Sequence, residues 1–172
     1  MTISGTFRSN VYDIIAIDPG STESGVVITS PLLCPSYHAK IANDEVFGVI
    51  SDHCNATLSI VVIEMIASYG MPVGREVFDT CVWIGRFVQH CKTIGMRVEY
   101  VYRQQEKMAI CHSQKANDAT IKQALVDRFA PTTPNHGKGS KAFPGWFYGF
   151  KADEWSAYAV AVTWHDLQAE GD

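Results

Sequence analysis

Residues 58–63 read LSIVVI, apolar throughout, and run straight into Glu64. A strand without polar alternation has no face for water, so it belongs in the middle of a sheet covered on both sides. That requirement excludes a one-layer sheet or a helical bundle and demands helices above and below. A second stretch shares the pattern. Residues 14–28 read IIAIDPGSTESGVVI: an apolar run ending in Asp18, a Pro-Gly turn, and a second apolar run from Gly25. A carboxylate at the end of a buried strand is costly unless it is paired or binds a cation. Taken alone, Asp18 reads equally well as a turn aspartate bonded to its own loop.

The rest of the chain supplies the layers. Residues 12–17 and 25–29 form strands joined by a short turn, hence antiparallel. Residues 37–41 give a third, edge strand after Pro31 and Pro35. Asn43 or Asp44 caps a helix with Val46, Phe47, Val49, Ile50 and Cys54 on one stripe. After the loop 67–73, residues 74–93 form a long helix whose seam is Val77, Cys81, Ile84, Val88 and Cys91. Residues 97–101 are a strand. Asn117 or Asp118 caps a helix to about Phe129, residues 131–149 form a Gly-, Pro- and Lys-rich loop, and a last helix covers about 153–167. The order β-β-β-α-β-α-β-α-α predicts an α/β fold: a mixed sheet flanked by helices, in one domain, with 1–10 as a loose lead-in. A right-handed crossover sets strand 58–63 parallel to strand 12–17 as its neighbour. Asp18 and Glu64 then lie at the same sheet edge, where open α/β sheets place their ligands.

Bulk properties narrow the setting. With 172 residues, 47% apolar and 19% charged, the chain has an ordinary globular composition. No apolar run approaches the roughly 20 residues of a membrane span, and the N-terminus lacks a signal core. Five scattered cysteines without a CxxC pair fit a reduced, cytoplasmic protein. The net charge of −4 argues against a generic nucleic-acid binder. Yet residues 130–152 hold no acid, while Lys138, Lys141 and Lys151 lie there, and local patches decide phosphate contacts.

Two strand-end carboxylates side by side need a raised pKa or a shared cation. A third acid arrives if the last helix, apolar beyond its first turn, packs on the sheet and brings Asp153 to the same edge. On their own, Asp153 and Glu154 are also favourable charges at a helix N-terminus. Oxygen ligands without Cys or His select Mg²⁺ or Mn²⁺. Two such ions support in-line phosphoryl displacement.

At this point the chain resembles a known family. Ile17-Asp18-Pro19-Gly20 with Gly25, Ile63-Glu64, and the run from Lys151 to Thr163 (KADEWSAYAVAVT) are similar to RuvC-type Holliday junction resolvases of the RNase H-like superfamily, and to small bacteriophage-borne members in particular. The resemblance implies a five-stranded sheet in the order 3-2-1-4-5, with the first three strands antiparallel. It implies hydrolysis of phosphodiester bonds in four-way DNA junctions, leaving 5′-phosphate and 3′-hydroxyl ends, with two Mg²⁺ ions for which Mn²⁺ substitutes. It assigns Asp18, Glu64 and Asp153 as metal-holding and catalytic residues, and Lys107 as the lysine near the scissile phosphate. The family carries a further acid three residues after the position of Asp153, where this chain has Ser156. Glu154, Asp118, the Ser156 hydroxyl or a water are the alternatives for that place.

For DNA contact the candidates are Arg75, Lys115, Asn117, Lys138 and Lys141 on phosphates, with Tyr69 stacking on bases at the crossover. Paired cuts imply a homodimer, expected through the helix 74–93, acting in the cytoplasm, for a phage protein that of its host. Three other readings stay open. The substrate could be another branched DNA or an RNA–DNA hybrid. The site could be decayed in a DNA-binding protein. The Asp-Pro-Gly-Ser-Thr run also resembles the first phosphate loop of actin-like ATPases, although a second such motif is missing from the sequence.

Overall fold

The computed structural model describes residues 11–170 apart from 56, 57 and 71. The lead-in expected over 1–10 lies outside the described residues. Five strands form one sheet: β1 (Asp13–Asp18), β2 (Glu23–Thr29), β3 (Pro35–Ala42), β4 (Ser59–Met65) and β5 (Arg97–Tyr102). Their order is β3-β2-β1-β4-β5. β1, β2 and β3 pair antiparallel, and β1–β4 and β4–β5 pair parallel. This is the mixed sheet that the element order predicts, in the strand order that the resemblance implies.

Strand alternation divides the interior into two cores. Ile14, Ala16, Val27, Ile60 and Val62 face one side, against Trp155, Tyr158 and Val162 of α5 (Ala152–Glu170) and Ile121 and Leu125 of α4 (Asp118–Phe129). Ile15, Ile17, Val26, Val61 and Ile63 face the other, against Val46 and Ile50 of α1 (Asn43–Asp52) and Ile84, Phe87 and Cys91 of α2 (Arg75–Thr93). The even-numbered positions of β1 and β4 thus point toward α5, and that parity carries Asp18 and Glu64 to the same side.

Several expectations are corrected. A helix that the sequence reading left out, α3 (Arg103–Cys111), follows β5 directly. Glu64 lies within β4, which runs on to Met65, rather than just past its end. Asn43 does not cap α1. It is buried, accepts a hydrogen bond from Ser24 Oγ (2.6 Å) and donates one to the Gly20 carbonyl (3.0 Å), which latches the β1–β2 turn. Cys54 falls beyond the end of α1, which stops at Asp52. The seam of α2 is rotated: Thr80, Ile84, Phe87 and Cys91 are buried while Cys81 is exposed. Thr80 fits inside because its hydroxyl donates to the Glu76 carbonyl (2.8 Å). Asn117 does cap α4: its side-chain oxygen accepts from the Thr120 N–H, and the Thr120 hydroxyl accepts from the Asn117 N–H.

Candidate metal-holding carboxylate edge

The register across the sheet builds the site. Ile17 of β1 pairs with Ile63 of β4, so the next residues, Asp18 and Glu64, are neighbours. On the other side Asp18 pairs with Gly25, and Gly25 with Lys40. One row therefore runs Lys40–Gly25–Asp18–Glu64 across the α5 face of the sheet. Gly25 matters for what it lacks. A Cβ there would overlap the main-chain carbonyl of Asp153 and come within 3.2 Å of its Cβ. The bare backbone lets the first turn of α5 rest on β2 and sets Asp153 beside Asp18.

The two carboxylates in this row are only partly compensated. Burial pushes the Asp18 carboxyl up to about 8, assisted by the charge of Glu64, a hydrogen bond shared with it, and the charge of Asp153. Burial and the charge of a further acid, Glu106, push Glu64 up to about 7. Arg103 opposes both shifts. Near neutral pH the Asp18–Glu64 pair thus retains a proton that a cation would displace.

Asp153 is held from the other side. Its Oδ2 accepts from Lys40 Nζ at 2.8 Å, and the same ammonium stands 3.5 Å from Glu23. Glu154 is turned away from the edge. It is buried, accepts from His38 Nδ1 (2.9 Å) and from the Lys151 N–H (2.9 Å), and so fastens the start of α5 to β3. Ser156 lines a cleft with Arg103, Asp118, Lys138, Lys151 and Asp153. A second cleft, on the Lys40 side, is lined by Asp18, Gly20, Gly25, Lys40 and Asp153.

Two neighbours escaped the sequence reading. Glu106, on α3, is wholly buried, and Arg103 bridges it (Nη1–Oε2, 2.5 Å) to the exposed Asp118. Burial and the charge of Asp18 push Glu106 up to about 7 against the pull of Arg103. The signal that could have found them is topological. β5 is parallel to β4 and ends at the same edge, so charged side chains just after Tyr102 reach the site.

Among the described residues, no three His, Cys, Asp or Glu side chains yet stand at metal-holding distance of one another. The donor chemistry nevertheless fits a hard divalent cation: carboxylate oxygens only, in excess of the cations that face them, with a proton held in the place of a positive charge.

The other candidates are spread more widely. Lys107 is half-buried on α3, next to Glu106. Lys138 reaches the cleft beside Asp153 and Ser156. Tyr69 is 52% exposed in the loop after β4, at φ 44°. Arg75 opens α2 and pairs with Asp79 (3.5 Å). Lys115 and Lys141 are exposed and line neither cleft, and Asn117 is exposed with its carbonyl oxygen engaged in the α4 cap.

No protein-family model matches the chain, and no curated protein matches its sequence. Solved structures do match in fold. Thermus thermophilus RuvC in complex with a Holliday junction substrate aligns with a TM-score of 0.70 over 93% of this chain and 96% of that one, at 13% identity. A second Thermus thermophilus RuvC structure aligns with a TM-score of 0.64 over 92% and 96%, at 15% identity. The chain has the RNase H-like fold of RuvC along nearly its whole length.

Proposed function

We propose that this chain is a metal-dependent, structure-selective endonuclease that hydrolyses phosphodiester bonds in four-way DNA junctions. The observation that carries the reading is the convergence of Asp18 from β1, Glu64 from β4 and Asp153 from α5 on one edge of a RuvC-like sheet. The RuvC structure with a Holliday junction supports branched DNA as the substrate class. On this reading the chain forms one nuclease domain.

Asp18, Glu64 and Asp153 would hold Mg²⁺, two ions in all, with Mn²⁺ as a substitute. When bound, such ions lower the pKa of water and steady developing charge on phosphate oxygens. The protein's own groups do the rest. The Asp18–Glu64 pair would have to release its proton to hold a cation. Lys107 stabilises charge on the phosphorane-like transition state. Lys138, joined at the cleft by Lys122 and Lys151, receives the phosphate backbone. Tyr69 stacks on bases at the crossover. Cleavage leaves 5′-phosphate and 3′-hydroxyl ends.

Two coordinated cuts need two sites, and α2 offers the pairing surface. Phe78 and Val82 are 60% and 63% exposed on its outer face. A homodimer through this face would bury them. A monomeric mass with and without DNA would remove that part of the reading.

The test is cleavage of a synthetic four-way junction with Mg²⁺, set beside flaps, forks, plain duplex and RNA–DNA hybrids. Junction cleavage abolished in Asp18→Asn supports the reading. Full activity in that variant, or preference for another substrate in the panel, overturns it.

A further inference from the structure

The carboxylate count on α5 and the burial on α3 belong to one problem. The last helix offers Asp153 to the edge, and one turn later on the same face it offers only Ser156, which has no charge to give. Across the cleft, α3 buries a whole glutamate. Glu106 is 0% exposed, and one oxygen, Oε2, is satisfied by Arg103 at 2.5 Å. The other, Oε1, is buried with no hydrogen-bond partner among the described residues. Arg103 reaches Oε2 alone, and its second terminal nitrogen turns to Asp118 instead of Oε1. A buried carboxylate oxygen without a donor is a cost that folding alone would remove by substitution with an apolar residue. Glu106 lies close enough to Asp18 and Glu64 for their charges to act on one another.

We propose that Glu106 supplies the fourth carboxylate of the metal-holding edge, from α3, in the place that Ser156 leaves open on α5. The proposal rests on the nuclease reading and deepens it. Glu106 Oε1 is the free ligand atom, and Arg103 fixes the carboxylate by its other oxygen, the orientation that neighbouring hydrogen bonds give to ligands of a metal. The acid has moved between elements while the edge keeps four carboxylates.

Calorimetric titration of Mn²⁺ into the full chain tests this without recourse to activity. The wild type should take up two ions. Glu106→Gln keeps the shape and the buried position. It should lose one ion, or weaken its binding by about tenfold or more, and Glu106→Gln/Ser156→Asp should restore it. Wild-type binding in Glu106→Gln overturns the proposal, as does a loss that Ser156→Asp does not restore. Ser156→Asp on the wild-type background decides the matter even if Glu106→Gln fails to fold. It should bring no tightening when the fourth place is already filled, and tightening of about tenfold would show the place empty. A wild type that binds no Mn²⁺ fails the nuclease reading and the proposal with it. Normal wild-type binding with an unaffected Glu106→Gln fails the proposal alone.

Discussion

Lys40 Nζ lies 2.8 Å from Asp153 Oδ2, and the two come from opposite ends of the chain. Register puts them together. Lys40 stands in the row of Asp18 with only Gly25 between, and α5 starts above that glycine. The ammonium neutralises the third acid of the edge from its outer side and competes with any divalent cation for it. Both partners keep over a third of their side-chain surface in water, so the competition is weak and screened by salt. Lys40→Met should therefore tighten Mn²⁺ binding by a few-fold, and more at low ionic strength. Titration at two salt concentrations checks this, and weaker binding would assign the ammonium a supporting role instead.

The raised carboxylates make metal-free stability depend on pH with a definite sign. Burial pushes Asp18, Glu64 and Glu106 up to about 8, 7 and 7 in the folded chain, from ordinary carboxyl values of 3.8, 4.5 and 4.5. Between those limits the native state binds more protons than the unfolded one, so stability falls as pH rises. It is fully present below about pH 4 as far as these groups are concerned, and lost through about pH 8. In chelator, the melting temperature should drop steadily from pH 5 to pH 8, and Mn²⁺ should reverse the drop. Asp18→Asn removes a buried charge and should flatten the slope, raising the metal-free melting temperature at pH 8 by about 2–4 °C for each kcal/mol recovered. Scanning calorimetry with and without metal measures both, and a flat wild-type profile would contradict the buried-pair account.

The sheet was legible because burial on both faces leaves apolar runs, and β1 and β4 have almost nothing else. α3 was not, because its inward side carries Arg103, Glu106 and Lys107, so no apolar stripe marks it. A helix that turns charged residues inward has the composition of a surface loop. The same blindness hid Lys40, which looks like a solvated edge-strand charge until the hairpin register places it opposite Gly25. Asp18, Glu64 and Asp153 stood out as candidates because each lies at or near the end of an apolar element. Glu106 interrupts a polar one.

Gly25 gives a sharper structural prediction. Gly25→Ala would drive a methyl group into the Asp153 main chain, which cannot rotate away. The start of α5 must lift, at about 1–3 kcal/mol for overpacking, and Asp153 leaves the edge. The variant should lose metal affinity as well as stability. Gly48 in α1 and Gly85 in α2 have nothing within 4 Å of an added Cβ. Gly48→Ala and Gly85→Ala should each stabilise by about 0.5–1 kcal/mol through helix propensity. Denaturant melts of the three variants distinguish close approach from ordinary glycine flexibility.

The acid-free loop makes a graded prediction for DNA binding. Lys138 lines the cleft that Asp153 and Ser156 share, whereas Lys141 is exposed and lines neither cleft. Each phosphate contact contributes about 0.9 to the slope of log affinity against log salt concentration on duplex arms. Lys138→Ala should lower that slope by about one unit and weaken junction binding at low salt, with a smaller effect from Lys141→Ala. Tyr69→Ala should behave differently. A base-stacking side chain contributes nothing to counterion release, so the salt slope should stay unchanged while affinity for the junction, but not for plain duplex, falls by about 1–3 kcal/mol. Fluorescence titrations of junction and duplex over a range of salt concentrations separate the two roles, and an equal loss on both substrates in Tyr69→Ala would take the stacking role away from this loop.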